Sequence, residues 1–173
     1  QALNAPIIAL SLAIGATAIL LSARASQGQT FIPLMLTLLA GYSALFMNVA
    51  GPLPPTLMTP LFLIGLCALS VFIMQAGRMS HPAGPIRMLI PPLLAFPFIM
   101  GATWYIEQFP LNPQDATLAQ IAALLIAFGY LILLAQVPLH GSQPASAQTA
   151  PPVVAAVVTL LYQLAVLYML FRT

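Results

Sequence analysis

Long apolar stretches separated by short polar breaks are the feature that most constrains this chain. A bilayer core of about 30 Å is crossed by about 20 apolar residues in a helix, and six stretches approach that length: Ala5–Ala23, Phe31–Ala50, Leu57–Ala76, Ile86–Ile106, Ala116–Val137 and Pro151–Phe171. Because lipid offers the backbone no hydrogen-bond partner, continuous apolar runs without alternation predict helices. The sequence therefore predicts an all-α, polytopic membrane bundle of about six transmembrane helices, in a single domain over residues 1–173.

Charged residues are scarce and lie between the apolar stretches. They make up 3% of the chain, against about 25% in soluble domains. No basic cluster could neutralise a row of phosphates, so nucleic acid is excluded as a partner. Arg24, Arg78 and Arg87 fall in the first and third loops. The positive-inside rule places these loops in the cytoplasm and both termini outside, in a bacterial inner or other energy-transducing membrane, with only Arg172 disagreeing.

The membrane-spanning stretches carry no ionisable side chain near their centres. Such groups are costly in lipid and usually mark proton relays or ion paths, so a charged relay is not expected. The single cysteine, Cys67, lies in an apolar run and is predicted to be a small packing residue. No cluster of residues has metal-ligand spacing, and no cofactor is expected.

Neutral polar groups inside the stretches can hydrogen-bond across helices, for a modest gain of about 0.6 kcal/mol each. They include Thr17, Thr37, Ser70, Thr103 and Tyr162. Gln163 is the most informative, because an amide in a helix of Val, Leu and Ala needs a partner. It either bonds a neighbouring helix or lines a polar path.

Small and proline residues suggest where helices meet or bend. Small residues recur every four positions in the first and fifth stretches, which favours close helix approach: Ser11 and Gly15, then Ala119, Ala123 and Ala127. Prolines in the fourth stretch predict a kink or a broken first turn: Pro91, Pro92 and Pro97.

The block LLAQVPLHGSQPASAQTAPPVVAA interrupts the pattern with prolines and one histidine. It resembles the signature of the antiporter-like membrane subunits of complex I (NADH:quinone oxidoreductase) and of multisubunit cation/proton antiporters. Pro138 and His140 stand where that family has a Pro-aromatic-His turn. Pro144 stands for its second proline, and Pro151 for the opening of its next helix. The resemblance covers residues 31–173, with specific motifs only in the last forty or so.

The departures from the family pattern fall on its ionisable residues. Leu133 stands where the family has a lysine, and Gln163 where the next helix has another. Ser142 and Ala145 replace a Trp and an Asp. The third stretch contains no acid to match the glutamate that partners the lysine. The resemblance therefore implies a shortened relative in which helical packing is retained and the charged relay is lost.

We thus expect a structural subunit of a complex I-like assembly that does not itself pump protons or catalyse a reaction. Its expected partners are other membrane subunits and lipids, with quinone nearby. Two alternatives remain open. One is a small transporter or channel with a neutral polar path. The other is an accessory subunit of another respiratory or photosynthetic complex that holds quinone, pigment or haem.

Overall fold

The computed structural model describes residues 4–22, 30–49, 58–75, 83–111, 116–134 and 151–172, and all regular structure in these ranges is helical. The helices are α1 Asn4–Ser22, α2 Phe31–Val49, α3 Met58–Gln75, the single turn α4 Ala83–Ile86, α5 Ile90–Gln108, α6 Ala116–Leu133 and α7 Pro152–Arg172. Two 3₁₀ turns, Arg87–Leu89 and Phe109–Leu111, flank α5. The predicted all-α class is confirmed for this part of the chain.

Three helical segments within the described ranges are long and apolar enough to cross a membrane. They are Arg87–Leu111, Ala116–Leu133 and Pro152–Phe171. The apolar parts of α1, α2 and α3 are shorter, at Ala5–Leu21, Phe31–Met47 and Pro60–Gln75. The prediction of a membrane protein is therefore supported by three helices, whereas six full spans were expected.

Helix α7 occupies the centre of the bundle, where it contacts α1, α2, α3 and α6. Of its apolar span, 56% is buried, against 22% for the spans of α5 and α6. Val158, Leu161 and Ala165 on α7 are fully buried. The edge of one ring meets the face of the other where Phe46 on α2 packs against Tyr168, with ring centroids 5.4 Å apart. The last helix therefore holds the first three together.

Helices α5 and α6 pack side by side as a helical hairpin, and their contact is the most extensive between any two helices in the described structure. The side of α6 that packs inward carries Ala122, Gly129 and Leu133. Gly129 lies so close to α5 that a Cβ there would be 2.8 Å from Cγ1 of Ile99. Close approach through small residues is thus observed, but on a different side from the predicted one.

The three alanines predicted to face a neighbouring helix, Ala119, Ala123 and Ala127, are exposed. Helix α6 is apolar on all sides, and a helix of that kind carries no stripe that tells which face packs. The spacing of small residues therefore identified a possible contact face but not the one used within this chain.

The prolines act at the start of α5, as predicted. A 3₁₀ turn precedes the helix, and the amide of Ile90 donates a hydrogen bond to the carbonyl of Arg87. Pro91 and Pro92 follow directly, in the first turn, where a missing amide hydrogen costs nothing because it would have no helical partner. Pro97 lies inside α5, and the helix continues through it to Gln108.

The small residues of α1 pack as predicted. Ser11, Gly15 and Ala18 are buried along one side of the helix. A Cβ on Gly15 would lie 2.8 Å from Cγ of Leu39, which is itself only 5% exposed on α2. The absence of a side chain at position 15 therefore allows α1 and α2 to approach each other.

We expect Gly15→Ala to destabilise the protein by about 1–3 kcal/mol, the usual cost of overpacking a filled interior. Gly65→Ala is the matched control, because a Cβ at position 65 meets nothing within 4 Å. Thermal unfolding of the purified chain in detergent measures both variants. Equal midpoints for the two would show that α1 and α2 are not in the described contact.

Candidate functional site

Five serine and threonine hydroxyls inside the described helices bond to their own helix. Each donates to a carbonyl three or four residues earlier, over 2.7–2.9 Å: Ser11 to Ile8, Thr17 to Ile14, Thr37 to Pro33, Ser70 to Leu66 and Thr103 to Ile99. None of these five bonds crosses to a second helix, although the sequence left that possibility open. A short hydroxyl side chain reaches the preceding turn more easily than a second helix.

Tyr162 is different, because its hydroxyl bonds to another helix. It donates a hydrogen bond of 2.7 Å to the backbone carbonyl of Leu133, the last residue of α6. Both residues are buried, with Tyr162 3% and Leu133 1% exposed. The tyrosine on α7 therefore caps the carbonyl end of α6.

This cap answers a requirement of the helix end. The last four carbonyls of a helix have no partner within it, and an unbonded carbonyl is costly away from water. The amide of Leu134 donates a hydrogen bond to the backbone carbonyl of Tyr130, and the hydroxyl of Tyr162 donates one to the carbonyl of Leu133. Proline follows at position 138 in the sequence and has no amide hydrogen to offer to the end of a helix.

The position of the cap places the end of α6 at mid-height of α7. Tyr162 is the central residue of Pro152–Arg172, so each end of α7 is about 15 Å away at 1.5 Å per residue. A tyrosine side chain spans less than half that distance. The carbonyl end of α6, which carries partial negative charge, therefore lies inside the bundle rather than at its boundary.

A cluster of neutral polar groups surrounds the same region of the core. Tyr42 on α2 is fully buried and lies near Cys67 on α3 and near Tyr162. Its hydroxyl faces that of Ser70, but Ser70 donates its own proton to Leu66, and no well-aligned hydrogen bond to Tyr42 is formed. We call Tyr42, Cys67, Ser70 and Tyr162 the hydroxyl–thiol cluster.

Sequence reasoning missed Tyr42 altogether, although it identified Tyr162 and Ser70 as polar groups at depth. The available signal was that a tyrosine inside an apolar helix needs a hydrogen-bond partner when buried. That signal does not reveal which residues from other helices lie beside it. Cys67 is buried and forms no disulfide, in agreement with the predicted packing role.

The residues that carry the family resemblance are only partly within the described structure. Pro138, His140 and Pro144 lie outside the described residues. Pro151 is buried, and its carbonyl accepts a hydrogen bond of 2.9 Å from the amide of Ala155 in the first turn of α7. The proline therefore opens that helix, as the resemblance implies.

The two substituted relay positions are placed differently. Leu133 is buried at the capped end of α6. Gln163 is half-buried, and its side chain has no hydrogen bond to any described residue. The predicted partner of this amide is therefore not seen, although the next residue towards the N-terminus, Tyr162, does make the inter-helix bond.

The hydroxyl–thiol cluster contains no acid or base. Across the helices that the structure describes, charged residues stand only at or near helix ends: Arg87 before α5, Glu107 in its last turn and Arg172 at the end of α7. No group of His, Cys, Asp and Glu residues in the described ranges could hold a metal ion. Hydroxyls and a thiol can donate and accept hydrogen bonds there, but the cluster has no charged station for proton transfer.

A groove of about 510 Å³ lies at the closed end of the α5–α6 hairpin. Tyr105, Ile106 and Phe109 form one wall, and three alanines of α6, Ala119, Ala122 and Ala123, form part of the other. Ala119 and Ala123 belong to the exposed stripe. This groove is apolar and is separate from the hydroxyl–thiol cluster.

Comparison with protein-family models, with curated proteins and with solved structures finds no match for this chain. The resemblance to the antiporter-like subunits therefore rests on the residues quoted from the sequence.

We expect Tyr162→Phe to lower the free energy of unfolding by about 1–2 kcal/mol, because it leaves the buried Leu133 carbonyl without a partner. Tyr105→Phe is the matched control, since Tyr105 is half-exposed and makes only a ring contact with Trp104. Thermal or denaturant unfolding in detergent measures both. If the two variants lose the same stability, the Tyr162 hydroxyl does not cap α6.

The same substitution at Tyr42 should act in the opposite direction. Tyr42→Phe removes a buried hydroxyl that has no well-formed bond, so stability should stay the same or rise, because an unbonded polar group costs about 1–3 kcal/mol to bury. The unfolding midpoint, measured beside that of Tyr162→Phe, checks this. A loss as large as that of Tyr162→Phe would show that Tyr42 bonds Ser70 or a bridging water.

Proposed function

We propose that this chain is a structural, non-pumping membrane subunit of a multisubunit energy-converting complex of the complex I type. The observation that carries the proposal is that charged residues of the described helices stand only at or near helix ends, while the interior is built from apolar packing and neutral hydroxyl groups. A proton-translocating subunit usually carries Asp, Glu, Lys or Arg at depth. The interior of the described helices carries none of these, which supports a role in contact with neighbours.

The outer surface supports the same role. Large apolar side chains are exposed on every long helix, including Met47 on α2, Phe72 on α3 and Phe128 on α6, each more than half exposed. Apolar surface on this scale must be covered by lipid or by other membrane helices. The assignment to a complex I-like assembly is based on the sequence motif that begins at Leu133. We also propose that the loops that carry Arg24, Arg78 and Arg87 face the cytoplasm.

A second candidate function is a small transporter with a neutral polar path. It is favoured by the hydroxyl–thiol cluster and by the end of α6 inside the bundle, because interrupted helices can line substrate sites in transporters. The lack of charge does not exclude the passage of a neutral polar solute. Uptake by liposomes that contain only this chain separates it from the structural role.

We expect the tagged chain, extracted from its own membrane with a mild detergent, to migrate on a native gel with several other membrane proteins and with quinone-reductase activity. Membranes with the untagged chain are the control. The chain alone in liposomes should leave the internal pH unchanged under an imposed potential.

Three results would contradict the proposal in different ways. A stable monomer without partners would remove the structural role. Migration with a complex that has no quinone-reductase activity would remove the complex I assignment alone. A pH change in liposomes that contain only this chain would show proton transfer and remove the non-pumping role.

A further inference from the structure

Two neighbouring tyrosines in the core differ in whether their hydroxyl groups are paired. Tyr42 is fully buried, and its hydroxyl forms no aligned hydrogen bond to any described residue. Tyr162, which lies near it, donates its proton to the carbonyl of Leu133 over 2.7 Å. The observed arrangement therefore caps α6 and leaves one buried hydroxyl beside the cap unpaired.

The hydroxyl of Tyr162 has a second arrangement open to it. Each hydroxyl carries one proton to donate. If the ring of Tyr162 turns towards Tyr42, the two hydroxyls pair with each other, and the carbonyl of Leu133 is left without its cap. Each arrangement contains one hydrogen bond and one unpaired buried group. Because hydrogen bonds between neutral groups have similar net strengths, the two arrangements are close in free energy.

The other neighbours of Tyr42 compete weakly for its hydroxyl. Ser70 donates its own proton to the carbonyl of Leu66 over 2.8 Å, and Tyr42 forms no aligned bond to it. The thiol of Cys67 is a weak hydrogen-bonding group. The hydroxyl of Tyr162 is therefore the better partner for Tyr42 within the hydroxyl–thiol cluster.

The last turn of α6 is the element that this exchange affects. Leu133 is the final residue of α6, and the amide of Leu134 closes the same turn by its bond to the carbonyl of Tyr130. The contact of α6 with α7 is far less extensive than its contact with α5. Helix ends open at lower free energies than helix centres, so loss of the cap favours release of this turn from α7.

We propose that Tyr162 is a latch, which exchanges its hydrogen bond between the carbonyl of Leu133 and the hydroxyl of Tyr42 and thereby releases the last turn of α6 inside the bundle. Switching in proteins depends on local elements with two discrete arrangements of this kind. The latch goes beyond the proposed function and does not rest on it, because its three groups belong to this chain alone.

Hydrogen–deuterium exchange of the full chain in detergent, read by mass spectrometry over the last turn of α6, tests the latch. Tyr42→Phe removes the second partner of Tyr162, so opening of this turn becomes rarer. We expect exchange there to slow about fivefold, the factor that corresponds to one hydrogen bond of typical net strength. Exchange around Gly15 in α1 should stay the same.

Two further variants separate the latch from a fixed cap. In the background of Tyr162→Phe, adding Tyr42→Phe should change nothing, because the exchanging hydroxyl is already gone. Tyr105→Phe, outside the cluster, should match the wild type. Unchanged exchange of the last turn of α6 in Tyr42→Phe would overturn the latch and leave Tyr162 as a fixed cap. Equal slowing with and without Tyr162, or slowing that extends to α1, would also overturn it, since either result shows general stabilisation.

Discussion

The requirement that every backbone polar group find a partner within the protein governs this structure. In an apolar medium a helix meets that requirement internally, except at its ends. Helix α6 ends at Leu133, inside the bundle, and the hydroxyl of Tyr162 supplies the bond that water would otherwise provide. Five serine and threonine hydroxyls of the described helices turn back to their own backbone, whereas this cap fixes one helix relative to another.

Elsewhere, the helices are held by close packing rather than by polar bonds. In lipid, association depends on van der Waals contact, which improves where small residues allow two backbones to approach. Gly15 serves α1 and α2 in this way, and Gly129 serves α5 and α6. Helix α7 contacts the first three helices and α6, and α3 contacts α5, so these two sets of contacts join the two parts of the bundle.

The lack of charge at depth and the exposed apolar surface point to the same kind of role. Charged residues of the described helices stand only at or near helix ends, so the helix interiors offer no charged station for protons. The outer surface needs lipid or protein to cover it. The polar groups that do converge, Tyr42, Ser70 and Tyr162, are neutral. The groove between α5 and α6 is apolar. These features are the basis for the proposed scaffold role.

The sequence by itself determined the helical class, the approximate helix positions and the placement of charge at helix ends, because the length and continuity of apolar runs decide these. It also determined that Pro151 opens a helix and that Pro91 and Pro92 begin one, since proline constrains its own backbone. Only the tertiary structure decided which faces pack. Ala119, Ala123 and Ala127 are exposed, whereas Tyr42 and Tyr162 are both buried in the core. Helices that are apolar all round have no polar face to orient them, so their rotation, and the partner of each polar group, depend on how side chains of different helices fit together.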